Sequence, residues 1–140
     1  GVRDLDPQER QALTSAGVLV VSPAELSRRG ATCCGQRALA TACGAGNGPP
    51  VDGLLLHVDV DVLDPEEAPG VGLPVRGGLT LDSLLAALEP LLTSGRLLAV
   101  EVTEAAPLLD RSGRTVLVLQ KLLPHLVYGL NAVGTSPAAP

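Results

Sequence analysis

The sequence predicts an α/β fold of three layers, α/β/α, around a mostly parallel open sheet. Three observations carry that expectation. Short apolar runs alternate with longer amphipathic stretches, which implies crossover connections between parallel strands. The breaks between them carry helix-start and helix-stop residues. Hydrophobic residues make up 46% of the 140, enough for one core at a length that suits one domain.

The elements follow in order. Asp6-Pro7 ahead of QERQALTSAG reads as an N-cap, a proline at the first helical position and a helix closed by Gly17. Val18 to Val21, closed by Ser22-Pro23, reads as a short buried strand. Ala24 to Arg29 forms a helical turn, and Thr32 to Cys43 a helix rich in small residues. GAGNGPPVDG is loop chemistry. LLLHVDVDVLDP is an apolar strand running into carboxylates, and the Pro/Gly loop EEAPGVGLPVRGG follows it. Thr80 caps a leucine-rich helix that Gly95 stops, RLLAVEVTEAAP is a second such strand, and Arg114 to about Leu130 is the final helix. One domain is expected over residues 1–134, with 135–140 a flexible tail.

Composition narrows the function. A net charge of −5, with one Tyr and no Phe or Trp, argues against a nucleic-acid partner, which needs phosphate contacts or stacking platforms. No apolar run approaches the roughly 20 residues that span a bilayer. The N-terminal stretch is charged from its third residue, so no signal peptide is read there. Cys33, Cys34 and Cys43 lack metal or disulfide spacing and read as free thiols, which places the protein in the cytoplasm. The chain opens on Gly1 and contains no Met, which suggests a piece of a longer protein.

Asp59 and Asp61 are the strongest chemical signal. On a strand, positions i and i+2 share a face about 7 Å apart, so both carboxylates converge on one spot. Hard divalent ions such as Mn²⁺ or Mg²⁺ take oxygen ligands of this kind. Glu101 and Glu104 end the following strand, where an anchoring or capping role is the plain reading. His57 and His125 read as structural, and Gly70, Gly72, Gly77 and Gly78 as loop-shaping.

The run HVDVDVLDPEEAPGVGLPVRGGLT resembles the metal-binding signature of the ureohydrolase superfamily, which comprises arginases, agmatinases and formiminoglutamases. GVRDLDP resembles that family's GxRxxDP segment, and AVEVTEAAPLLDRSGRT its later strand, turn and last helix. The resemblance runs in order over residues 1 to about 130 and covers the C-terminal half of the family's domain. It implies an arginase-like α/β/α fold and hydrolysis of a guanidine or amidine C–N bond on two manganese ions, releasing urea. It implies that Asp59 bridges both ions, that Asp61 chelates one, and that Glu104 receives the cationic end of the substrate. The family's other ligands and its histidine proton donor belong to upstream segments that this sequence does not contain, so the chain alone is expected to be inactive. A homo-oligomer is implied for the full-length enzyme. Leu73 stands where relatives commonly carry Thr, and Ala106 where they carry Asn.

Two other readings remain open on the sequence. LLLHVDVDVL also resembles the first motif of haloacid-dehalogenase-like phosphatases, with Asp59 as nucleophile, although the only lysine is Lys121 in the last helix. The other is a truncated ureohydrolase-like chain that serves as a non-catalytic subunit.

Overall fold

The computed structural model describes residues 1–44 and 51–131. Residues 45–50 of the GAGNGPPVDG loop and the expected tail lie outside the described residues. The helices α1 (Pro7–Ser15), α2 (Pro23–Arg29) and α3 (Ala31–Ala42) precede strand β1 (Leu54–Asp59). Helix α4 (Leu81–Leu92) leads into strand β2 (Leu97–Thr103), and α5 (Arg114–Asn131) ends the described chain. None of these helices is long and apolar enough to cross a membrane.

Local chemistry accounts for the helix starts. Asp6 accepts hydrogen bonds from the Gln8 and Glu9 amides at 2.7 and 2.9 Å, and Glu9 Oε2 accepts from the Asp6 amide at 3.1 Å. This reciprocal capping box satisfies donors that the first turn of a helix leaves unpaired. Ser22 and Thr80 cap α2 and α4 through their hydroxyls.

β1 and β2 pair in parallel, with Leu56 beside Val100, His57 beside Glu101 and Asp59 beside Thr103. Alternation along β1 turns Leu56 and Val58 inward and leaves Leu55 and His57 exposed. The inward set joins Leu97 of β2, Leu84, Leu88 and Leu92 of α4, and Val118, Leu122 and Leu126 of α5 in one core. Among the described residues, sheet and helices thus form the α/β architecture with its core on one side of the strand pair.

The run Val18 to Val21 is not a strand. A strand needs a neighbour to take up its amides and carbonyls, and hydrophobicity does not provide one. Here the Val21 carbonyl accepts from the Gly1 nitrogen at 2.7 Å, Val21 packs against the core edge, and Val18 is half exposed.

α3 and α4 approach closely where Gly35 is buried. A Cβ built on it would collide with the Ala87 carbonyl oxygen of α4. Gly35→Ala is therefore expected to force the helices apart and destabilise the chain by about 1–3 kcal/mol, the usual cost of overpacking. A urea midpoint equal to that of the parent chain would refute this.

Candidate metal and substrate site

β1 delivers Asp59 to its C-terminal end, the side of a parallel sheet where ligands bind. There the chain departs from the expected geometry. Val60–Val62 is a 3-10 turn, so Asp61 is not on the strand and the i, i+2 argument does not place it. Asp59 Oδ1 accepts from the Asp61 amide at 3.0 Å, a local side-chain-to-backbone bond that competes with strand pairing. Both acids nonetheless line one cleft at the end of β1. Burial, followed by the charge of Asp59 and a side-chain hydrogen bond to it, raises the Asp61 carboxyl above its usual range. Glu104 pushes in the same direction, and Arg3 opposes them.

Both acids open onto a cleft of about 350 Å³ lined also by Arg3, Asp4, Leu73 and Val75. Leu73 is 65% exposed and forms part of the apolar wall. Glu104 follows the end of β2 in the left-handed backbone region, with φ of 59°. A non-glycine residue held there costs on the order of 1–3 kcal/mol and marks a place where the surroundings dictate the backbone. Gly72 makes room for it, since a Cβ on Gly72 would come within 3.1 Å of Glu104 Oε2.

The intervening loop is fastened at both ends. Asp64 Oδ2 accepts from the Gly77 and Gly78 amides at 2.8 and 3.2 Å, and Oδ1 from the Glu66 amide at 2.9 Å. The Glu66 and Gly77 hydrogen bonds hold the Asp64 carboxyl below its usual range. Further along, the Gly70 amide donates to Thr115 Oγ1 of α5 at 2.7 Å, tying the loop to the last helix.

His57 keeps a structural place. Its Nδ1 lies 3.0 Å from Glu101 Oε2 and its Nε2 3.2 Å from Thr103 Oγ1 across the strand pair. His125 Nδ1 lies 2.8 Å from the Lys121 carbonyl one helical turn back. The three cysteines are free thiols, with Cys34 in the core and Cys33 exposed.

Sequence reasoning passed over Arg3 and Asp64. Arg3 sits in the GVRDLDP segment and donates to the Val75 carbonyl at 2.8 and 3.1 Å and to the Asp61 carbonyl at 2.5 Å.

The oxygen donors suit a hard divalent cation, and their mutual repulsion favours one between them. Among the described residues, no group of three His, Cys, Asp or Glu side chains stands close enough to hold a metal ion. Asp59 and Asp61 thus stand as a pair of carboxylates at the end of β1.

A family profile described as the Arginase family matches residues 1–128. The arginase of Bacillus subtilis is 34% identical over 129 residues, which is 91% of this chain and 41% of that one. Its crystal structure superposes with a TM-score of 0.81 at 33% identity, over 91% of this chain and 43% of that chain. Proclavaminate amidino hydrolase from Streptomyces clavuligerus superposes with a TM-score of 0.74 at 28% identity, over 94% and 41%. The chain spans 26% of the length of the arginase of Eremothecium gossypii and 41% of that of Bacillus subtilis. The match sets aside the phosphatase alternative and extends across the two strands, the loop between them and most of the last helix. The chain belongs to the arginase family.

Proposed function

We propose that this chain supplies one wall of a binuclear manganese ureohydrolase, which cleaves the C–N bond of a guanidine or amidine and releases urea. The observation that carries the reading is the lining of one cleft by both Asp59 and Asp61 at the end of β1, where the Asp59 charge helps to raise the Asp61 carboxyl above its usual range. Asp59 and Asp61 would hold the metal, which when bound supplies a Lewis acid and lowers the pKa of water. Glu104 offers a carboxylate to the cationic nitrogen of the substrate and orients it, a contribution of positioning. Leu73 gives the entrance an apolar side where a hydroxyl would otherwise offer a hydrogen bond.

The test is a chimera in which residues 1–128 replace the matched segment of the Bacillus subtilis arginase. The expected result is manganese-dependent urea release from at least one of arginine, agmatine and a guanidino acid. A folded chimera that binds manganese and cleaves none of them overturns the reading. In the same chimera, Leu73→Thr is expected to change the relative kcat/KM among these substrates by about tenfold, the scale of one hydrogen bond in a pocket. Unchanged ratios would remove Leu73 from the site.

The non-catalytic subunit is the second reading, favoured by the absence of a third metal-holding side chain among the described residues. A chimera lacking activity while the full partner enzyme retains its own would favour it.

A further inference from the structure

One guanidinium ties together the two segments that face each other across the cleft. Arg3 Nε and Nη2 both donate to the Val75 carbonyl, at 3.1 and 2.8 Å, and Nη2 also donates to the Asp61 carbonyl at 2.5 Å. Longer contacts reach the Gly1, Val62 and Leu63 carbonyls at 3.3 to 3.5 Å. Asp61 and Val62 belong to the acid turn and Leu63 closes it, whereas Val75 lies two residues beyond Leu73 in the Pro/Gly loop.

We propose that Arg3 is a positioning residue that clamps the Leu73–Val75 segment against the Asp59–Asp61 turn and so sets the width of the cleft. The reason is geometric. A planar guanidinium presents several donors in fixed directions and can satisfy carbonyls of two segments at once, whereas an ammonium is a single point charge on a flexible stem. Charge-assisted hydrogen bonds to carbonyls are also stronger than neutral ones. The far end of the same loop has its own fastening, in which the Leu79 amide donates to the Val62 carbonyl at 3.0 Å and the Asp64 amide to the Leu79 carbonyl at 2.9 Å. Residues 64–78 thus form a loop held at its neck by backbone bonds and across its body by Arg3. The lining of the cleft by Arg3, Asp59, Asp61, Leu73 and Val75 places the clamp at the candidate site itself.

The experiment compares the 140-residue chain with Arg3→Ala and Arg3→Lys by amide hydrogen exchange and by Mn²⁺ line broadening in NMR spectra. Loss of the clamp should accelerate exchange at Gly77, Gly78 and Leu79 by about tenfold in both variants, while Leu88 and Leu122 amides in α4 and α5 stay at parent rates. Arg3→Lys keeps the charge and loses the fork, so it should not restore the parent rates. Parent rates in Arg3→Ala, or full rescue by Arg3→Lys, would overturn the proposal. The Mn²⁺ arm rests on the proposed function. Paramagnetic broadening should reach both the Asp59–Asp61 turn and the Leu73–Val75 segment in the parent chain, and the ratio of segment to turn broadening should fall in Arg3→Ala as the segment moves away. An unchanged ratio in the variant would overturn the clamp. Broadening at neither segment in the parent would overturn the metal reading, and exchange would then decide the role of Arg3.

Discussion

The 140-residue chain by itself is expected to release no detectable urea from arginine, agmatine or guanidino acids, under conditions where the Bacillus subtilis arginase turns over freely. The expectation rests on ligand number. A hard divalent cation is held by about six oxygen or nitrogen donors, and two ions sharing a site divide a common set. The described residues bring two carboxylates together, with no third His, Cys, Asp or Glu at metal-holding distance. Even complete oxygen-ligand sites reach dissociation constants of about millimolar at their weak end, so two carboxylates alone are expected to bind no tighter than that. Calorimetric titration with Mn²⁺ and a urea assay on the same preparation check both parts. Micromolar binding together with urea release would mean that the chain finds its remaining ligands by itself, for example from a second copy, and would remove the partial-site account.

Most of the fold was legible because most of its devices are local. Asp6-Pro7 with Glu9 three residues past the cap, and Thr80 ahead of a leucine repeat, each specify a helix start through groups a few residues apart. The strand at Leu54–Asp59 was legible for the same reason, as a continuous apolar run with a loop on either side. Val18–Val21 was misread because strand formation is a property of pairs. The run is rich in β-branched side chains, yet hydrogen-bond partners decide whether it joins a ladder.

The site divides along the same line. The resemblance of the HVDVDVLDP run points to Asp59 and Asp61, and both line one cleft in the structure, but strand parity is not what places Asp61 there. A strand would have kept both side chains on one face about 7 Å apart. The 3-10 turn at Val60–Val62 instead takes Asp61 off the strand while both acids still line one cleft. Nothing in the alternation of the sequence distinguishes the two outcomes, since the decisive contact is one amide on one carboxylate oxygen. Arg3 was illegible for a different reason. Its partners, the Asp61 and Val75 carbonyls, are 58 and 72 residues away in sequence and are backbone groups, which carry no residue-type signature.

Asp61→Asn should make the metal-free chain less sensitive to rising pH and at the same time remove its response to manganese. The folded-state pKa of Asp61 is raised by burial first and by the neighbouring Asp59 carboxylate second. A carboxyl whose folded pKa lies above its unfolded value favours the folded state while it is protonated. Its stabilising contribution is therefore complete below the unfolded pKa and is lost as pH rises through the folded one. In the presence of a chelator, the parent chain should lose thermal stability from about pH 4 upward, until Asp61 is fully ionised against Asp59. The asparagine variant has no proton to lose there, so its Tm should stay flatter over the same interval. Divalent metal reverses the sign for the parent, because a cation between two carboxylates stabilises the ionised pair. At a concentration about tenfold above the dissociation constant, binding to the folded state alone adds about 1.4 kcal/mol. The parent at neutral pH should accordingly gain Tm on addition of Mn²⁺, and Asp61→Asn should gain little, since one of its two anionic ligands is gone. Magnesium and calcium should act in the same direction, since both accept carboxylate oxygens. Differential scanning calorimetry of both chains from about pH 4 to about pH 8, with chelator and with Mn²⁺, reads all of these at once. Parallel pH profiles for the two chains would show that Asp61 is not held against Asp59, and an undiminished Mn²⁺ response in the variant would place the metal elsewhere.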